Sequence, residues 1–144
     1  MKPKLFFDDE AEMLACLREW IARLGLSDWW IMARICPVTE LELPDVAGES
    51  EVDHVNKCGR IDILRREDMP DGLMIRQPQE QTLIHELLHF KFVGFEEKNR
   101  DEAYFELMQH QLLEEMAKAL YMAKYNLTRS WFAEGAKKKG EKRP

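Results

Sequence analysis

The chain has 144 residues, of which 27 are acidic and 21 basic, and its net charge is −6. This length is typical of one domain, and a hydrophobic fraction of 45% is enough to build one core. No apolar run approaches the roughly 18 residues that a membrane-spanning helix needs, so we expect no membrane span.

The charge is unevenly distributed along the chain. Residues 137–144 contain five basic residues and Glu141, so they carry +4 and the preceding 136 residues carry −10. An acidic body argues against nucleic-acid binding, which requires a basic face. We therefore expect a single domain over residues 1–136, followed by a basic, disordered tail over residues 137–144.

The N-terminal sequence and the cysteines indicate a compartment. The first ten residues, MKPKLFFDDE, turn acidic after three apolar residues and lack the apolar stretch of a secretory signal. Cys16, Cys36 and Cys58 form no CxxC pair, so they predict neither a disulfide framework nor a cysteine zinc site. The expected setting is therefore reducing and cytoplasmic.

The first half of the chain predicts a helix followed by a small sheet. In residues 9–24 apolar side chains recur every three or four positions, which is typical of a helix with one buried face. Residues 29–36, WWIMARIC, are aromatic and aliphatic and predict a strand. Residues 37–53 hold six acidic and no basic residues and read mostly as a loop, and residues 51–63 predict a hairpin.

The second half of the chain predicts two helices. Pro78 suits the first turn of a helix that runs to about residue 92, because its missing N–H is not needed there. A second, long helix is expected over about residues 100–125, after a polar connector. The order of helix, small sheet, helix and helix predicts an α+β domain.

The first of these two helices contains the sequence HELLH, from His85 to His89. Residues four positions apart lie on one face of a helix, so both histidines can bind one metal ion. Glu86 lies about 100° round the helix from His85, where it can reach a metal-bound water. The pattern predicts two ligands and a general base. The competing interpretation is a pair of core histidines bonded to backbone carbonyls.

The motif resembles that of the zincin metallopeptidases, in particular the gluzincin-like and very small minigluzincin type. The resemblance rests on HELLH in a Leu- and Phe-rich helix, with a short sheet before it and a long helix after it, and it loosely covers residues 29–125. It implies a small zincin-like domain with an N-terminal helix, a mostly antiparallel sheet, the HExxH helix and a long helix carrying the third ligand. The implied activity is peptide hydrolysis with Zn2+ in a cleft below an edge strand.

The third zinc ligand does not follow from HELLH itself. The resemblance implies a glutamate on the next helix, but Gln109 stands at the usual spacing and is a poor ligand. The next residue, His110, falls on an inward face and would complete a site of three histidines, which zinc accepts. Glu106 would complete a site of two histidines and one glutamate, or accept the spare N–H of a liganding histidine. The remaining candidates for the third ligand are Glu102, Glu114 and Glu115.

The sequence thus predicts a zinc metallopeptidase that acts on a peptide or protein substrate. His85, His89 and His110 hold the ion, water is the fourth ligand and Glu86 is the base. Residues 60–64 are predicted as the edge strand that aligns the substrate. The acidic loop at 40–53 is either solvated or borders the cleft and favours basic substrates. A protein of a different class, a zinc-stabilised binding module or a latent protein without turnover, would instead have a closed site.

Overall fold

The computed structural model describes residues 2–93 and 102–133. The predicted connector at 95–99 and the predicted tail at 137–144 lie outside the described residues. Within the described ranges, no helix is long and apolar enough to cross a membrane. The elements, in chain order, are α1 (Glu10–Arg23), β1 (Trp30–Cys36), β2 (Gly48–Asp53), β3 (Cys58–Leu64), α2 (Gln79–Phe92) and α3 (Glu102–Tyr125). A helical segment at 129–133 follows α3. The predicted α+β class is confirmed.

The three strands form a mixed sheet in the order β1-β3-β2. β1 runs parallel to β3, with Trp30 opposite Cys58 and Cys36 opposite Leu64, whereas β2 and β3 form the predicted antiparallel hairpin. The prediction of a mostly antiparallel sheet is therefore wrong for β1. The alternation of apolar residues shows which face of a strand is buried, but it does not specify the direction of the neighbouring strand.

The edge strand next to α2 differs from the predicted one. Residues 60–64 belong to β3, which is the central strand. The chain leaves β1 through the loop at 37–47 and returns on the far side of β3, so β2 takes the edge position. β2 is acidic and only partly buried, which is usual for an edge strand with one face in solvent. The acidic sequence of β2, GESEVD, is also typical of a loop, which is why the sequence predicts a loop for most of this segment.

The core forms around α2, which lies against the sheet, α1 and α3. Eleven of the fourteen residues of α2 are buried, so almost every polar side chain on it needs a partner within the protein. The sheet approaches α2 so closely at Gly59 that a Cβ there would overlap the ring of Phe90. Asp9 caps the N-terminus of α1, because its carboxylate accepts the N–H of Glu12 at 2.8 Å. The apolar face of α1 packs on the same core.

Glu80 links all three helices inside this core. Its side chain is 5% exposed and accepts a hydrogen bond from Trp20 Nε1 of α1 at 2.8 Å. The Lys124 ammonium and the Tyr125 hydroxyl of α3 also donate to it. Burial alone would lower the pKa of Lys124, but hydrogen bonds to Glu80 and Glu19 raise it above its usual range. One buried carboxylate thus fixes α2 between α1 and α3.

Replacement of Glu80 tests this link. Glu80→Gln should lower the free energy of unfolding by about 3 kcal/mol, because it leaves the buried Lys124 ammonium with Glu19 as its one remaining charged partner among the described residues. Glu19→Gln is the matched control. It should cost less than about 1 kcal/mol, because the Glu19 side chain is partly exposed. Urea denaturation measures both, and equal small losses would show that Glu80 does not hold the helices together.

Candidate metal centre

HELLH lies on the part of α2 that borders β2 and α3. His85 is 4% exposed, Glu86 is also buried and His89 is half-buried. The centroids of the two imidazole rings are 5.2 Å apart. One ligand atom from each of the three residues lies within 4.8 Å of the other two. The helix therefore brings together the three residues that its spacing predicts.

Among the described residues, His110 of α3 belongs to no group of candidate ligands with His89, but it lies beside His85. Its ring centroid is 4.8 Å from that of His85, and its side chain is exposed. Together with Glu114 it forms a second group around His85, whose ligand atoms also lie within 4.8 Å of one another. The expected approach of His110 to α2 agrees with this contact. Its role as a zinc ligand stays a prediction.

Glu114 is the carboxylate that contacts the histidines. Its Oε2 is 2.8 Å from His85 Nδ1, and its Oε1 accepts a hydrogen bond from Gln81 Nε2 at 2.6 Å. Burial alone would raise the pKa of Glu114, but the hydrogen bonds from His85 and Gln81 lower it below its usual value. An ionised carboxylate can only accept, so Nδ1 of His85 carries the proton. Its Nε2 is then free to bind a metal.

Glu106 and Glu115 are not grouped with the histidines. Glu106 is exposed on the wall of a cleft and, among the described residues, belongs to neither group of candidate ligands. Glu115 pairs with Arg129 at 3.2 Å on the surface. The side chain of Glu102 lies outside the described part of the chain. The carboxylate bonded to His85 is therefore that of Glu114, and not that of Glu106, which lies two turns earlier. The angle at which α2 and α3 cross decides which turn of α3 meets His85.

His89 and His110 have the protonation state that a metal requires. Burial lowers the pKa of His89 to about 4, and repulsion from His85 and His110 adds to the effect. Burial also lowers the pKa of His110. Both rings are therefore neutral at pH 7, and a neutral imidazole is the form that binds a metal ion.

Glu86 lies between the histidines and the edge strand. Burial raises the pKa of its carboxyl group above the usual value, whereas His85 and the Ser50 side chain of β2 oppose this shift. A metal cation bound beside it would favour the ionised form, in which the carboxylate can accept a proton. Contact with Ser50 thus places a base beside the predicted ligands.

A cleft of about 860 Å³ opens over His85, Glu86 and His89 of HELLH. β2 and the loop before it form one wall, and α3 forms the other. The acidic loop therefore borders the cleft, which was one of its two expected positions. Glu49 holds this wall in place, because its carboxylate accepts the backbone N–H groups of Glu42 and Leu43 at 2.8 and 3.1 Å. The larger apolar side chains on the two walls are Leu43, Val46, Val52, Val93 and Leu107.

Comparison of the chain with protein-family models, with curated proteins and with solved structures finds no match. Support for a metal centre therefore comes from the side chains of this chain. They provide neutral histidines, an ionised acceptor on Nδ1 of one of them, and a carboxyl group beside them at the wall of a cleft.

Zinc affinities of variants can identify the third ligand. Loss of a ligand should weaken binding by more than the roughly 10–100-fold expected when a residue bonded to a ligand is lost. We expect His110→Ala to exceed that range, Glu114→Gln to fall within it, and Glu106→Ala to change affinity by less than about threefold. Competition with a chromogenic chelator measures all three. A larger effect of Glu106→Ala or Glu114→Gln than of His110→Ala would assign the ligand to that glutamate.

Proposed function

We propose that the protein is a small zinc metallopeptidase of the zincin type. The observation that carries this proposal is the position of HELLH, whose two histidines and glutamate lie together at the wall of a large open cleft. His85, His89 and His110 would hold the ion, and Glu86 would act as the base. All three cysteines are unpaired, which supports the proposed cytoplasmic setting.

Bound zinc would lower the pKa of a water ligand to roughly 7 and polarise the scissile carbonyl. Glu86 accepts the proton of the attacking water and then delivers it to the leaving amine. The Ser50 side chain of β2 interacts with the Glu86 carboxylate and favours its ionised form. Glu114 holds the proton of His85 on Nδ1, so that Nε2 keeps its lone pair for the metal ion.

β2 supplies a surface on which a peptide can lie. One side of this strand pairs with β3, and the strand itself lines the cleft. An edge strand offers unpaired backbone N–H and C=O groups, so an extended substrate can add to the sheet next to Glu86. Such an addition would bring a peptide bond beside the proposed base, which supports a peptide rather than a small soluble molecule as the substrate.

The open cleft also separates this proposal from a zinc-stabilised binding module. A purely structural zinc site is closed by four protein ligands. Here His110 is exposed and the histidines line a cleft of about 860 Å³, so water and substrate have access to the proposed zinc site. A latent protein without turnover would share this geometry, and only an activity measurement distinguishes it.

Glu86→Gln is the direct test of the mechanism. The variant should keep about one zinc per chain but lose hydrolysis by roughly 10²–10⁴-fold, because the amide retains the shape of the side chain without its basicity. Elemental analysis and a peptide-cleavage assay give the two results, with His89→Ala as the control that loses the metal. Equal cleavage by Glu86→Gln and wild type would exclude Glu86 as the base. Wild type that holds no metal after expression with zinc would exclude the whole proposal.

Substrate charge gives a second test. The charged side chains that line the cleft among the described residues are the acidic Glu49, Glu86 and Glu106. Peptides with Lys or Arg near the scissile bond should therefore have kcat/KM values about two- to fivefold above matched peptides with Asp or Glu. Added salt should reduce the difference, since exposed charges are screened. Glu106→Gln should also reduce it, whereas Glu115→Gln, on the surface of the same helix, should not.

A further inference from the structure

Gln81 is a buried polar residue next to the proposed zinc site. It lies one turn before His85 on the same face of α2 and is 2% exposed. Its Nε2 donates to Glu114 Oε1 at 2.6 Å. Its Oε1 is buried and has no hydrogen-bond partner within residues 2–93 and 102–133.

A buried carbonyl oxygen without a partner is unfavourable compared with an apolar side chain of the same shape. α2 is otherwise rich in buried Leu and Ile, so a methionine at position 81 would suit the core better than an amide does. Stability alone therefore does not explain why a glutamine stands at position 81. The hydrogen bond that its amide N–H donates to Glu114 does explain it.

Gln79 shows what a purely structural glutamine looks like on the same helix. It is also buried, but both ends of its amide are bonded. Its Oε1 accepts the N–H of Phe7 at 2.8 Å, and its Nε2 donates to the carbonyl of Leu64 at 3.0 Å. Gln79 thus ties the N-terminal segment and β3 to α2, whereas the amide of Gln81, as far as residues 2–93 and 102–133 show, bonds only to the carboxylate that contacts His85.

The Glu114 carboxylate depends on Gln81 for its orientation. Each of its oxygens has a different partner, Oε1 the amide of Gln81 and Oε2 Nδ1 of His85. The Glu114 side chain is about one-third exposed, and His110 lies one turn before it on α3. Without the bond to Gln81, the carboxylate could rotate toward solvent or toward His110 and release the proton of His85 from Nδ1.

We propose that Gln81 is a positioning residue for the metal centre, which acts through Glu114 to keep the proton of His85 on Nδ1 and the lone pair on Nε2. The zinc part of this inference rests on the proposed function. A positioning role differs from a structural role in what the loss of Gln81 does. The zinc-free protein should stay as stable or become more stable, whereas its zinc affinity should fall.

Gln81→Met and Gln79→Met form the matched pair of variants. Gln81→Met should leave the melting temperature of the chelator-treated protein unchanged or raised, and should weaken zinc binding about tenfold. Gln79→Met should lower the melting temperature and leave zinc affinity within about twofold. A fall in melting temperature for Gln81→Met, with zinc affinity unchanged, would make Gln81 structural and overturn the proposal.

A double-mutant cycle tests whether the effect passes through Glu114. In a Glu114→Ala background, Gln81→Met should change zinc affinity by less than about twofold, since the residue through which it acts is gone. A full tenfold effect in that background would overturn the proposed route.

Nitrogen NMR of the imidazoles in the zinc-free protein, at one fixed pH, separates this inference from the proposed function. Wild-type His85 should be protonated on Nδ1, and Gln81→Met should show a mixture of the two neutral tautomers. An unchanged tautomer in Gln81→Met would overturn the proposal even if zinc binds. If wild type binds no zinc, the proposed function fails, and the same spectra still decide whether Gln81 positions His85.

Discussion

The burial of α2 is the constraint on which the rest of the structure depends. A helix enclosed on nearly every side needs partners for its polar side chains. Several of these side chains bind other elements and thereby fix their positions. Glu80 binds α1 and α3, Gln79 binds the N-terminal segment and β3, and Glu86 meets β2. The residues proposed for catalysis are thus part of the same set of buried contacts that assembles the domain.

This constraint divides α3 into two halves with different roles. Its C-terminal half is fixed by Lys124 and Tyr125, which reach Glu80 in the core. Its N-terminal half leaves Leu107 54% exposed, and this residue lines the cleft. The anchored C-terminal half holds Glu114, near the middle of the helix, against His85, while the exposed half carries His110 and keeps the cleft accessible. Stability and access to the proposed site therefore come from different turns of one helix.

Local sequence patterns predicted the elements but not their arrangement. The three helices and HELLH follow from spacing within a few turns, and the hairpin of β2 and β3 follows from its turn. The parallel pairing of β1 and the edge position of β2 depend on which side of β3 the loop at 37–47 returns, and no local pattern encodes that. Glu114 was only one of several candidate glutamates, because the crossing of α2 and α3 decides which turn meets His85.

The sharing of His85 between two groups of metal-binding side chains has a chemical resolution. A neutral imidazole has one N–H and one lone pair, so it cannot donate to Glu114 and bind an ion through the same nitrogen. Because Glu114 is ionised and held by Gln81, the proton stays on Nδ1 and the lone pair on Nε2. For Glu114 to bind an ion through Oε2, that oxygen would have to turn away from Nδ1 of His85, whose proton now stabilises its charge. The arrangement therefore favours Glu114 as the acceptor that orients His85, with the ion on the opposite side of the ring.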